Sequence, residues 1–150
     1  MKKVPLDAKL QPSLHGLLQR AHREATSELR RLAGTEGVPV EFWRVLEVLA
    51  DEQGRSMSAL AAATGMQMPA TSKLIDRMVD AALVQRSLDP ADLRRVVLYI
   101  SDFGLQKVDA LRGDMERHRQ RLAQTLGAAR ERELRGLLED FIRAHRRETG

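Results

Sequence analysis

The amino-acid sequence predicts a mainly helical chain in which a small unit of short helices and one hairpin lies between long helices at either end. Three observations carry this reading. Leu10, Leu14, Leu17, Leu18, Ala21, Ala25, Leu29 and Leu32 recur at three- and four-residue steps, which draws one stripe along a long helix. Between residues 38 and 81, short apolar-faced segments are punctuated by Pro39, Gly54, Gly65 and Pro69. Two runs of alternating character then flank Asp89-Pro90-Ala91-Asp92, the pattern of a strand pair joined by a turn. At 150 residues, 43% hydrophobic and 31% charged, the chain fits one domain with helical extensions and cannot hold two full-size ones.

Each element has its own signals. The first helix ends near Gly34, and its other face carries Arg20, Arg23, Glu24, Glu28, Arg30 and Arg31. Pro39 opens a second helix with Phe42, Val45, Leu46 and Leu49 on its apolar face and Gly54 just past its end. Ser56 caps a third, carrying Leu60, Ala61 and Thr64 and stopped by Gly65. A fourth runs from about Met68 to Ala81, with Pro69 in its first turn and Leu74, Ile75 and Met78 facing inward. Leu83 to Ser87 and Arg95 to Ile100 read as strands. Ser101 then caps a long helix bearing Leu105, Val108, Leu111, Met115, Leu122 and Leu126. A last helix follows Gly127, with Leu134, Leu137, Leu138, Phe141 and Ile142.

Composition removes several function classes. No cysteine is present, so disulfides, thiolate nucleophiles and Cys-type metal ligation are excluded. Five aromatic residues, scattered along the chain, cannot build the stacking platforms of single-strand binders. No apolar core of a signal peptide follows Lys2 and Lys3, and the longest uncharged stretch, Ser56 to Ser72, is too polar to span a membrane, so a cytoplasmic chain is expected. His15 and His22 stand seven residues apart, which is not a ligand spacing, and no metal or cofactor is expected. Met57, Met66, Met68 and Met78 read as core filler rather than as an oxidation sensor. No nucleophile elbow, phosphate loop or paired-carboxylate pattern marks an enzyme. The net charge of +4 tilts the chain toward polyanions.

Helix, tight turn at Gly65, second helix and charged hairpin is the element order of a winged helix-turn-helix. Ala61, Ala62 and Ala63 allow the helices to cross closely, and Gly65 accepts a backbone conformation that side chains disfavour. The candidate contact residues on the second helix are Gln67, Met68, Pro69, Thr71, Ser72, Lys73 and Arg77. Among them are the hydrogen-bonding and cationic types that reach base edges and phosphates in a major groove, and Thr71 would offer a methyl to thymine. On the hairpin, Arg86, Arg94 and Arg95 cluster around the turn, with Asp92 holding Arg94, where a guanidinium could enter a minor groove. The bland alternative for these residues is a solvated surface.

Several motifs in order resemble the MarR-type (multiple antibiotic resistance) winged-helix transcriptional regulators over nearly the whole length. Phe42-Trp43-Arg44-Val45-Leu46 is similar to that family's second helix, Ala59-Leu60-Ala61 to its first helix-turn-helix segment, and Ser72-Lys73-Leu74-Ile75-Asp76-Arg77-Met78 to its recognition helix. Leu83-Val84-Gln85-Arg86 resembles the strand that follows. Asp89-Pro90-Ala91-Asp92-Leu93-Arg94-Arg95, with Val96 to Ile100, Ser101 and Gly104, resembles the wing and the start of the next helix. Three positions depart from the pattern: Ala82 where a glycine is usual, Leu93 where a basic residue often sits, and Gln67 in place of a Ser or Asp cap, a weaker cap by about 1 kcal/mol.

The resemblance implies a homodimer presenting two winged helices to a pseudo-palindromic operator in double-stranded DNA, as a repressor that a small aromatic or anionic effector releases. The leucine stripes point the same way. Leu10, Leu14, Leu17, Leu18, Leu134, Leu137, Leu138, Phe141 and Ile142 lie on helices that a central unit of roughly 65 residues cannot cover. Residues of about 8–34 and 102–147 are then the dimerisation helices and about 38–100 the winged helix, all within one unit over 1–150. The resemblance also places an effector between dimer helices and winged helix, where His15 or Trp43 would line it. The alternative function is a dimeric winged-helix protein-interaction module without specific DNA binding.

Overall fold

Ser13 begins the first helix by accepting the Gly16 N–H on its hydroxyl at 3.1 Å, and α1 runs Leu14–Thr35. The computed structural model describes residues 12–149, so Leu10 lies outside it. Then follow α2 (Val40–Leu49), α3 (Met57–Thr64), α4 (Met68–Asp80), β1 (Val84–Asp89), β2 (Asp92–Ile100), α5 (Asp102–Gln124) and α6 (Ala128–Thr149). The fold is mostly helical with one antiparallel strand pair, a winged helix-turn-helix between terminal helices. No helix among the described residues is long and apolar enough to cross a membrane.

The caps explain where the short helices stop. Ser56 Oγ accepts the Ala59 N–H at 3.1 Å, and Gly65, at φ +69, closes α3 with a left-handed turn. Gln67 precedes α4 without a side-chain cap, and Pro69 lies in its first turn. Gly54 does a different job from the one its position suggests. α2 ends five residues earlier, at Leu49, and the chain turns through Asp51 and Glu52, whose φ is +60. Gly54, at φ +71, is needed because a Cβ would stand 2.6 Å from the Tyr99 ring and 2.7 Å from Val97 Cγ1.

The hairpin is longer than its apolar content indicates. β1 and β2 pair from Val84 opposite Ile100 to Leu88 opposite Val96, with an irregularity at Leu88/Asp89, so that only Pro90 and Ala91 lie between the strands. Backbone ladder bonds need no particular side chains, so pairing continues beyond the half that packs on the core. Arg55 adds a bridge, donating to the Leu98 carbonyl at 2.9 Å and accepting from its N–H at 2.8 Å.

The core divides the two leucine stripes. Phe42, Trp43, Val45, Leu46 and Leu49 of α2 pack against Leu60, Leu74, Ile75, Met78, Leu98 and Ile100. Leu32 and Ala33 of α1 and Val108, Leu111 and Met115 of α5 join them. The far half of each stripe is left in solvent: Leu14 and Leu17 on α1, Leu122 on α5, and Leu126 beyond it. Leu18 is half-buried. No described side chain of α6 is buried, and Leu134, Leu137, Leu138, Phe141 and Ile142 are all exposed.

Candidate nucleic-acid interface

α4 buries Leu74, Ile75 and Met78 and turns the opposite face outward. Gln67, Met68 and Pro69 are exposed on its first turn, Lys73 and Arg77 are exposed further along, and Ser72 is half-buried. Met68 is therefore a surface residue rather than core filler. Thr71 corrects the expected set more sharply. It is fully buried, its hydroxyl donates to the Gln67 carbonyl at 2.9 Å, and its methyl is not available to a base. The reason is helical phase: residue 71 falls on the same side as 74, 75 and 78.

Two of the arginines are engaged within the fold. Arg77 lies over the Phe42 ring with its guanidinium carbon 5.0 Å from the centroid, fixing the end of α4 to α2. Arg86 is not at the hairpin tip, as its place in the sequence suggested. It sits within β1 opposite Leu98 and forms an ion pair with Asp76 on the outer face of α4. That pairing masks a carboxylate one helical turn from Ser72 and Lys73, where a phosphate would otherwise meet negative charge.

The tip is built from carboxylates accepting backbone bonds. Asp89 Oδ1 accepts the Ala91 N–H at 2.8 Å, and Asp92 Oδ1 accepts the Arg94 N–H at 3.1 Å and its Nε–H at 3.0 Å. The Arg94 side chain, 90% exposed, is tethered at its root while its end projects from the wing. Its guanidinium is the main influence holding the Asp92 carboxyl below the usual carboxylate range, and its backbone N–H adds to it. Neighbouring strand positions face opposite ways. Arg95 instead joins Gln53, Arg55, Asp89 and Tyr99 around a cleft of about 330 Å³ between the wing and the start of α3.

The model of the MarR family matches residues 36–95, from the end of α1 through the wing tip. A transcriptional regulatory protein for the hcr operon of Thauera aromatica is 30% identical over 114 residues, covering 76% of this chain and 69% of the relative. The chain belongs to the MarR family. A second family relative, the HTH-type transcriptional repressor IacR of Pseudomonas putida, is 27% identical over 122 residues, 81% of this chain and 73% of its own. Among solved structures, the MepR–DNA complex of S. aureus superposes with a TM-score of 0.78 at 18% identity, over 89% of this chain and 99% of that one.

Two residues of the MarR resemblance acquire a geometric reason. Ala82, in place of the usual glycine, takes φ +58, a left-handed conformation that a Cβ disfavours. Gly104 lies where a Cβ would stand against the Leu83 carbonyl oxygen and 2.9 Å from Ile100 Cγ1. Ser101 ties both together, accepting the Gly104 N–H at 2.9 Å and donating to the Ala82 carbonyl at 2.6 Å.

A cavity of about 580 Å³ opens between α2 and α5, lined by Trp43, Val48, Val108 and Met115, with Glu47, Arg112, Glu116 and Arg119 at its polar side. Arg119 donates to Glu47 at 3.1 Å and to Glu116 at 2.5 Å. The indole N–H of Trp43 is buried with no acceptor among the described residues. Of the two residues expected to line an effector, Trp43 forms part of this cavity's wall, whereas His15 is exposed on the first turn of α1, about 25 Å along the axis from the residues that enter the core.

Residues that the sequence reading missed are Arg44, Arg55, Arg112 and Arg119. Arg44 donates to the Thr64 carbonyl, and Arg55 bridges to the wing strand. Neither an arginine on a helix face, such as Arg44, Arg112 or Arg119, nor one in a connection, such as Arg55, carries a sequence mark of the element it meets, so no signal distinguished these from the others.

Proposed function

We propose that the chain is a homodimeric repressor that reads a pseudo-palindromic site in double-stranded DNA and is released by a small anionic or aromatic effector. The observation that carries this reading is the joint outward presentation of Lys73 on α4 and Arg94 on the wing. Among the described residues Lys73 has no ion pair, and the one neighbouring carboxylate on that face is already masked by Arg86. α4 suits the major groove and the wing tip a minor groove, with Gln67, Met68, Pro69 and Ser72 at the base-facing end.

Dimerisation is supported by α6. Among its described residues the 22-residue α6 buries no side chain, which leaves little to hold its shape in water, and a second copy would cover Leu134, Leu137, Leu138, Phe141 and Ile142 together with Leu14 and Leu17. Two-fold symmetry would then set the recognition helices about 34 Å apart. Repression follows the function named for IacR. The cavity at Trp43 supports an effector: its apolar wall suits a ring, and Arg112 and Arg119 suit a ligand carboxylate that takes the place of their present partners Asp109, Glu47 and Glu116.

Selection of duplexes from a random library, followed by titration of the recovered sequence at several salt concentrations, tests this. Affinity should fall steeply with salt, and Lys73→Ala and Arg94→Ala should each lower it and reduce the salt slope by about one. Recovery of no preferred duplex, or wild-type binding by both variants, overturns the reading.

A further inference from the structure

We propose that three consecutive residues of α2, Phe42, Trp43 and Arg44, mechanically link the cavity to the helix-turn-helix, with Phe42 and Arg44 acting as positioning residues for the recognition helix. An α-helix sends successive side chains out about 100° apart, so three neighbours reach three different surroundings from one rigid turn. Trp43 forms part of the cavity wall. Phe42 lies under the Arg77 guanidinium of α4. Arg44 donates to the carbonyl of Thr64, the last residue of α3 before the Gly65 turn.

Each contact sits where small displacements matter. At the end of α3, the N–H groups of Gly65 and Met66 bond to Ala62 and Ala61, so the Thr64 carbonyl is an unsatisfied helix end that Arg44 completes. Arg77 is on the last turn of α4, so Phe42 holds the recognition helix at the end opposite Gln67. Among the described residues the cavity is lined only by residues from Trp43 to Ala50 and by α5, with none from α3, α4 or the wing. Whatever shifts Trp43 therefore reaches the reading head through α2, and close-packed side chains pass on such a shift rather than absorb it.

Coupling of this kind is reciprocal: if a cavity occupant alters the hold on DNA, DNA must alter the cavity. Trp43 is the sole tryptophan, so its emission reports that cavity with no label and no effector. The inference rests on the DNA-binding reading, and the experiment separates the two. The duplex recovered by selection is titrated into the full chain while anisotropy of labelled DNA tracks binding and acrylamide quenching tracks Trp43.

Saturation with duplex should change the quenching of Trp43 in the wild type. Less than half of that change should survive in Arg44→Ala or Phe42→Leu once each is saturated, and Arg44→Lys, which keeps a donor for the carbonyl, should restore it. Duplex binding that leaves Trp43 quenching unchanged, or an undiminished response in both variants, overturns the linkage while leaving DNA binding intact. If one variant no longer binds the duplex, the other decides by the same criterion. Failure to recover any duplex counts against DNA binding itself.

Discussion

Arg86 in the first wing strand and Asp76 on the outer face of α4 form an ion pair that joins the two parts of the candidate interface. Both side chains are largely exposed, so the pair contributes about 0–1 kcal/mol to stability. Its larger effect is on the charge that a duplex meets. Arg86→Ala should lower duplex affinity about tenfold, about 1.4 kcal/mol, by unmasking the carboxylate. Adding Asp76→Ala to that variant should recover most of the loss, and a double-mutant cycle by anisotropy checks it. Full additivity of the two substitutions would show that Arg86 contacts phosphate by itself.

Ala82 and Gly104 should respond to a methyl group in opposite senses. Ala82→Gly removes a left-handed alanine that costs about 1–2 kcal/mol and adds chain entropy to the unfolded state, for a net gain of about 0.5–1 kcal/mol. Gly104→Ala drives a Cβ against the Leu83 carbonyl and should cost about 2–3 kcal/mol. Denaturant midpoints at equal protomer concentration, with unchanged slopes, measure both.

The wing tether should titrate with acid. The folded-state pKa of Asp92 is depressed, so its hold on Arg94 is complete above the ordinary carboxylate pKa and disappears as pH falls through the depressed value. In Arg94→Ala the main lowering influence is gone, and the Asp92 titration should move upward toward the ordinary range. Carboxyl chemical shifts followed against pH would show it, and an unmoved midpoint would mean that the backbone bonds alone hold the carboxylate.

Leu137→Glu and Phe141→Glu place charge in the apolar face of α6. Each should halve the mass found by light scattering and weaken duplex binding by about 100-fold or more, since two linked half-sites become one. The core of α2 through β2 lies elsewhere, so its unfolding transition should persist. A dimer of unchanged affinity carrying either substitution would place the interface on another surface.

An aromatic carboxylate such as benzoate, if the cavity accepts one, should quench or shift Trp43 emission and raise the thermal midpoint. Arg112→Ala should weaken that response while leaving the mass of the particle unchanged. A response identical in Arg112→Ala would remove this guanidinium from the set that recognises the carboxylate.

Local rules in the sequence by itself determined the element order, the caps at Ser56, Gly65 and Ser101, the inward face of α4 and the turn at Asp89–Asp92, because capping, helical period and turn chemistry act over a few residues. Tertiary structure alone decided that Arg86 meets Asp76 and Arg77 meets Phe42, that Gly54 yields to Tyr99, and that His15 lies far from Trp43. Those outcomes depend on which helix faces another and at what depth, which is set by packing between segments ten or more residues apart and leaves no trace in the spacing of either one. The division of each leucine stripe into a buried and a solvent-facing half is of the same kind, because periodicity identifies an apolar face but not how far along it the core extends.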